Sequence, residues 1–335
     1  MKDGSFLLVL LAACAALPAQ NSVVVPANHA TREGSNWADQ PFGLGTQGRV
    51  QHLYGAGIVG TPPTAILRGL AWRGDGRADN GAKANVDLEL LVSTSPRDPL
   101  APATHFPANH GAQVVTVFQR KLVQLPGLPP AGSWPRPFAI PFPFDVPYLY
   151  MSAAGTLVVE GRIHNQPGGA YAIDAVGWEP AREEYRGFDC GQIFVRITGG
   201  TVPPNGSDLA WEVESAPPGG IALLLLGTTV LPAPLRLPVG SCFLYQDAPV
   251  ILAGAVGAGG AARFSLPVAR GMFLAVLHSQ VVAADPALTR MPATATRITT
   301  IGGAYPVSTV FNIGSVTLPF GSAWTTVAPV VELRL

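Results

Sequence analysis

The side chains of this chain that could do chemistry are few and scattered: six histidines, 21 acidic residues and three cysteines in 335 residues. A serine nucleophile on a strand–turn–helix elbow would sit in G-x-S-x-G, and Gly240-Ser241-Cys242 lacks the second glycine. A Ser-His-Asp set can still assemble from distant positions, because it is defined by geometry and not by order. His105 and His110 share a loop with Pro and Gly but have no neighbouring Cys, Asp or Glu to complete a tetrahedral zinc set. His29, His52, His164 and His278 have no ligand-like neighbours at all. Glycoside hydrolysis needs two carboxylates at a set separation. Glu160, Asp174, Glu179, Glu183, Glu184, Asp189, Glu212 and Glu214 are available for it, and solvated strand faces account for them equally well. No residue is therefore assigned a catalytic role, and nothing in the sequence requires an enzyme.

Three short patterns invite binding readings. Gly55-Ala56-Gly57-Ile58-Val59-Gly60 matches G-x-G-x-x-G, but Thr61-Pro62-Pro63 follows where a nucleotide site needs a helix inside a βαβ unit. It reads as a strand and a turn. Arg73-Gly74-Asp75 is an adhesion-type triplet expected at a loop tip between strands Ile66–Trp72 and Val86–Val92. The same loop offers Asp75, Asp79 and Asn80, with Asp87 beyond them, as oxygen ligands for calcium, which takes six to eight. Calcium is the one cofactor the sequence suggests, and a solvated turn explains these residues as well. Trp37, Trp72, Trp134, Trp178, Trp211 and Trp324 would stack on sugar rings if several were exposed together, though burial suits large aromatic surfaces. Trp178 stands out because it precedes the polar Glu179–Arg186 stretch. Asn205-Gly206-Ser207 is a glycosylation sequon.

The elements that must carry these residues are strands. Charged residues are only 13%, the basic and acidic counts are equal at 21, and 38 Gly and 33 Pro punctuate apolar runs. That balance gives no basic field for nucleic acid or anionic lipid, and the punctuation favours many short strands. Period-two alternation places aliphatic residues on one face in Val86–Leu90, Ile193–Ile197, Leu209–Val213 and Val331–Leu335. Val114–Leu125, Thr156–His164, Ile221–Leu226, Phe243–Leu252 and Met272–Val282 read as further strands, and Val250–Ala262 as strand, turn and strand. Only Pro180–Tyr185 has a helical pattern, with Pro at its first position. The expected fold is all-β, two tandem antiparallel sandwich or jelly-roll domains over 20–198 and 199–335, with a final strand free to complete either.

The N-terminus predicts export. Phe6–Leu17 is an unbroken apolar run behind Lys2. It is too short for a spanning helix, which needs roughly 20 residues, and has the form of a secretory signal over 1–19. Cleavage after Ala19 exposes Gln20; alternatively Leu11-Ala12-Ala13-Cys14 resembles a lipoprotein box with Cys14 lipidated. No later run is long enough to span a membrane. Cys190 and Cys242 are then a candidate disulfide in an oxidising compartment, or two separate thiols.

Ala222–Gly227, Leu235–Pro238, Gly240–Tyr245, Phe264–Pro267 and Gln280–Pro286, in this order, resemble a C-terminal β domain of uncharacterised secreted proteins of planctomycete-type bacteria. Phe106-Pro107-Ala108-Asn109-His110-Gly111 is similar to the first domain of some of them, and residues after Gly303 depart from the pattern. The resemblance implies an exported two-domain β protein and supplies no catalytic residues. The expected role is non-catalytic binding or structure at the cell surface, in the periplasm or in the matrix, with an extracellular protein or polysaccharide as partner. The alternative is a carbohydrate-active hydrolase or its sugar-binding accessory.

Overall fold

The computed structural model describes residues 22–76, 84–128, 134–166, 171–202 and 207–335. The fold is all-β and antiparallel. The alternation in the sequence maps onto faces: Val86, Leu88 and Leu90 are buried, while Asp87 and Glu89 between them are partly exposed. The strands Val114–Leu125 and Ile221–Gly227 fall where the apolar runs place them. No helix among the described residues is long and apolar enough to cross a membrane.

The chain divides into two compact units, one running to Ala175 and resuming at Val307–Leu335, the other spanning Val176–Pro306. The division therefore does not fall at 199, and the second unit interrupts the first. The last strand explains why. Val331–Arg334 pairs with Ser22–Val25 on one side and with Thr64–Trp72 on the other, so the C-terminus is a central strand of the first unit.

In the first unit that four-stranded sheet ends on Ile140–Met151. Pro141, Pro143 and Pro147 lie in this strand, where an edge position tolerates the missing N–H groups. A six-stranded sheet runs in the order Ser322–Thr325, Val307–Ile313, Gly48–Tyr54, Thr156–Asn165, Ala84–Ser95, Val114–Leu125. Phe118 of the second sheet meets Phe142 of the first edge-on at 5.5 Å, and Phe42 and Trp72 complete the aromatic core.

In the second unit a five-stranded sheet centred on Val276–Ala284 packs with a three-stranded one through Trp211, Leu224, Val281 and Ile301. Trp211 Nε1–H donates to Ser279 Oγ at 2.9 Å, which satisfies its buried polar edge. Cys190 and Cys242 form a disulfide with Cα atoms 5.5 Å apart, within bonding range.

Several local expectations change. Pro180–Tyr185 is not helical: Arg182–Arg186 is an edge strand paired with Thr296–Thr300. A lone helical turn is costly to nucleate, whereas the edge supplies a ladder and lets Tyr185 lie under the Arg297 guanidinium at 4.0 Å. Phe243–Leu252 breaks into Phe243–Gln246 and Val250–Ala255 because Asp247 turns away to accept the backbone N–H groups of Thr228 and Thr229. Val276 starts the strand expected from Met272. The strands Val250–Ala255 and Ala262–Leu266 do not pair with each other but join different sheets.

Candidate functional site

The six-stranded sheet carries an unusual polar layer. Gln51 and Glu160 are register partners on neighbouring strands, and Arg49, Arg162 and Ser93 surround them. The segment between Ser95 and Val114 folds over this face. Phe106 enters the apolar cluster of Leu53, Val158 and Val310. Asn109 donates to Gln51 Oε1 at 3.0 Å and to Ala103 O at 2.8 Å. Gly111 lies so close to the Ala84–Ser95 strand that a Cβ there would sit 1.9 Å from Thr94 O. Phe106, Asn109 and Gly111 of the Phe106–Gly111 motif thus each have a packing reason, while Pro107 and Ala108 are exposed.

His110 completes the layer. Its Nε2 is 2.8 Å from Glu160 Oε2, and its Nδ1 is 2.7 Å from Ser93 Oγ. Beside an ionised Glu160 the ring proton sits on Nε2, and Nδ1 faces the serine hydroxyl. Burial alone would raise the Glu160 carboxyl, but hydrogen bonds from His110 and Arg49 and the Arg49 charge hold it down at about 2. This is the hydrogen-bond order of a Ser-His-acid triad, assembled from residues that no motif links. Its accessibility differs. A cleft of about 290 Å³ between Ser95, Arg97, Asp98, Ala108 and His110 touches only the histidine. Ser93 lies beneath it at 0% exposure, so no carbonyl carbon can reach Oγ in this conformation. The layer acts as a clasp that pins the loop to the sheet.

The Arg-Gly-Asp triplet is not a loop tip. Gly74 bridges to Ile173, and Arg73 and Asp75 are both buried. Arg73 Nε donates to Asp174 Oδ2 at 2.7 Å, and its guanidinium stacks 5.0 Å from the Phe138 ring centre. Of the calcium candidates, Asp75 lies within 4.8 Å of Glu33 and Asp174, ligand atom to ligand atom, and Asp79 and Asn80 lie outside the described residues. Burial pushes the Asp174 carboxyl up to about 7 against the pull of Arg73, with the Glu33 charge adding to the rise.

The other acids considered for glycoside cleavage are mostly met by arginines: Glu179 by Arg182, Glu183 and Asp189 by Arg297, and Glu212 by Arg196. Gly55–Gly60 forms a single helical turn, Ala56–Val59, closed by left-handed Gly60, and no βαβ unit surrounds it. The His105 ring packs at a tilt against that of Phe320, with centres 4.9 Å apart. Cys14 and Asn205 lie outside the described residues.

The tryptophans separate by exposure. Trp72 and Trp211 are core, and Trp178 is exposed on the short strand Trp178–Glu179. Trp37 and Trp324, far apart in sequence, line one open groove of about 410 Å³ with Asn36, Asp39 and Thr325. They are 52% and 42% exposed. Trp37 projects outward because its neighbour Ala38 takes the buried side of Asn36–Ala38, which pairs with Ile173–Val176. Trp324 sits on the edge strand, its ring held 4.5 Å from that of Phe311. Burial raises the Asp39 carboxyl at the groove's rim. Two indole faces beside amide, carboxyl and hydroxyl groups form a surface for a flat ligand with an apolar face and a hydroxyl-bearing edge.

No protein-family model matches the chain, and comparison with curated proteins and with solved structures found no match.

The buried histidines set the response to acid. His52 Nδ1 is 3.0 Å from Thr309 Oγ1, whose hydroxyl donates to Val327 O, so Nδ1 carries the proton and donates. Burial lowers His52 from 6.5 to about 3. The unfolded chain binds this proton below 6.5 and the fold does not, so stability is lost as pH falls from 6.5 towards 3. Burial, reinforced by the Arg32 charge, lowers His29 to about 4 and acts in the same sense. Asp174, raised to about 7, acts oppositely and destabilises as pH rises through that value. Comparing wild type with His52→Gln by urea unfolding isolates His52, since the other groups are common to both. Between neutral pH and about pH 4.5, wild type should lose on the order of 2 kcal/mol more than the variant. Equal losses would show that His52 is protonated within the fold.

Proposed function

We propose that the protein is an exported, non-catalytic binding protein whose ligand is a carbohydrate, held on the Trp37–Trp324 groove. The observation that carries this reading is the convergence of two half-exposed indoles in one groove with polar groups at its rim. Aromatic faces left in water are unfavourable unless something covers them. The C–H face of a pyranose covers an indole while its hydroxyls bond to amide, carboxyl and hydroxyl partners such as Asn36, Asp39 and Thr325. The volume of about 410 Å³ suits a small-molecule-sized segment.

The hydrolase alternative has one favourable feature, the Ser93–His110–Glu160 line, and Ser93's burial weighs against it. Export is supported by the Phe6–Leu17 pattern and by the Cys190–Cys242 disulfide, a bond that persists in oxidising compartments. Mass spectrometry of the protein recovered from its host should find Gln20 as the first residue. An acylated Cys14 would mean a membrane tether instead, and an intact Met1 would rule out processing.

Binding is tested by a glycan array with wild type, Trp37→Ala, Trp324→Ala and Trp178→Ala. Each groove variant should weaken binding by roughly tenfold or more, in line with about 1–2 kcal/mol for an aromatic contact, and Trp178→Ala should bind as wild type does. Binding unaffected by both groove variants, or none to any glycan, would overturn the reading.

A further inference from the structure

The Trp37–Trp324 groove has a neighbour on the same hairpin. A second groove of about 420 Å³ is lined by Phe311, Ile313, Phe320, Gly321 and Ser322. Both grooves belong to the hairpin of Val307–Ile313 and Ser322–Thr325, in which Thr309 is opposite Trp324 and Phe311 opposite Ser322. Opposed residues of an antiparallel pair share a face, so Trp324, Phe311 and Ser322 lie on one side of the hairpin. Phe311 joins the two grooves: its ring touches that of Trp324 at 4.5 Å and it lines the second groove. Phe320, 60% exposed, continues the row and is backed by the His105 ring at 4.9 Å. From Trp324 to Phe320 the chain covers roughly 13 Å at strand rise, more than one sugar ring occupies.

The track is held in place. Phe106 N–H donates to Pro319 O at 2.8 Å, Gly321 N–H to Thr104 O at 2.9 Å, and Asn312 Nδ2 to Phe320 O at 2.9 Å. Gly321 has no room for a side chain, since a Cβ would lie 2.9 Å from the Phe106 ring. Among the residues lining the two grooves Asp39 is the one charged group, and it is acidic. Nothing there would pair with uronate or sulfate, and Asp39 would repel them.

We infer that the two grooves form one continuous track for the interior of a linear, neutral polysaccharide, with one subsite at Trp37 and Trp324 and a second at Phe311 and Phe320. This rests on the carbohydrate reading of the first groove and adds the length and charge of the ligand. A chain spanning both subsites gains the second contact without a second loss of translational freedom, so affinity rises with chain length.

The test is calorimetry on the full chain with cello- and manno-oligosaccharides from monosaccharide to hexasaccharide, and oligogalacturonides as the anionic control. With a neutral series, the hexasaccharide should bind roughly tenfold or more tighter than the disaccharide. Phe320→Ala, at an exposed position, should abolish that gain, while Trp37→Ala weakens binding of both the disaccharide and the hexasaccharide. Equal disaccharide and hexasaccharide affinities that still depend on Trp37 would overturn the track alone. Tighter binding of oligogalacturonides would overturn its neutral character, and no Trp37-dependent binding in any series would remove both readings. Unchanged thermal midpoints and circular dichroism establish that each variant is folded.

Discussion

A carboxylate cut off from water has to be met by donors, and Glu160 is met by four side chains. Arg49 approaches both its oxygens, Arg162 joins at Oε1, and Gln51 and His110 converge on Oε2. Leaving such a charge uncompensated costs several kcal/mol, so these partners are constrained together. The consequences run outward. His110 and Asn109 pin the loop that follows Ser95, and that loop seats Phe106 against Leu53, Val158 and Val310. From there Thr104 and Phe106 hold Pro319 and Gly321, which fixes Phe320 and with it the far end of the aromatic track. A buried ion cluster in mid-sheet therefore sets the shape of an exposed surface.

The same physics separates residues with chemical potential from residues with access. Ser93, His110 and Glu160 have the hydrogen bonding of a hydrolytic triad, but the closeness that satisfies the buried carboxylate also closes the serine off from substrate. Arg73 and Asp75 likewise spend their charges inside the fold, where Arg73 meets Asp174 at 2.6 Å. In the Trp37–Trp324 groove and the neighbouring groove at Phe311 and Phe320, the lining groups are aromatic, aliphatic and polar-neutral, with Asp39 the exception. That distribution is what the proposed recognition surface draws on.

Much of the architecture was legible in the sequence because alternation is local: Val86–Leu90 and Val114–Leu125 declare their faces without reference to any partner. Pro180–Tyr185 was misleading because a short helical pattern carries little energy of its own, and the strand Thr296–Thr300 that captures it is remote in sequence. The ownership of Val331–Arg334 was open for the same reason, since its partners at Ser22–Val25 and Thr64–Trp72 lie at the other end of the chain. The candidate site is an extreme case. Trp37 and Trp324 were visible as tryptophans with stacking potential, but only the sheet order brings them to one groove, and the role of Phe320 had no local signal. The burial of Arg73-Gly74-Asp75 depends on the pairing of Gly74 with Ile173, which the triplet cannot reveal.

The most direct test of a recognition surface built on Trp37 and Trp324 is a crystal structure of the protein with a bound oligosaccharide, chosen from the glycans it retains. The account predicts a sugar ring lying flat on the indole of Trp37 or Trp324, with hydroxyls directed at Asn36, Asp39 or Thr325. A ligand seated elsewhere on the protein, with both indoles left in solvent, would contradict it.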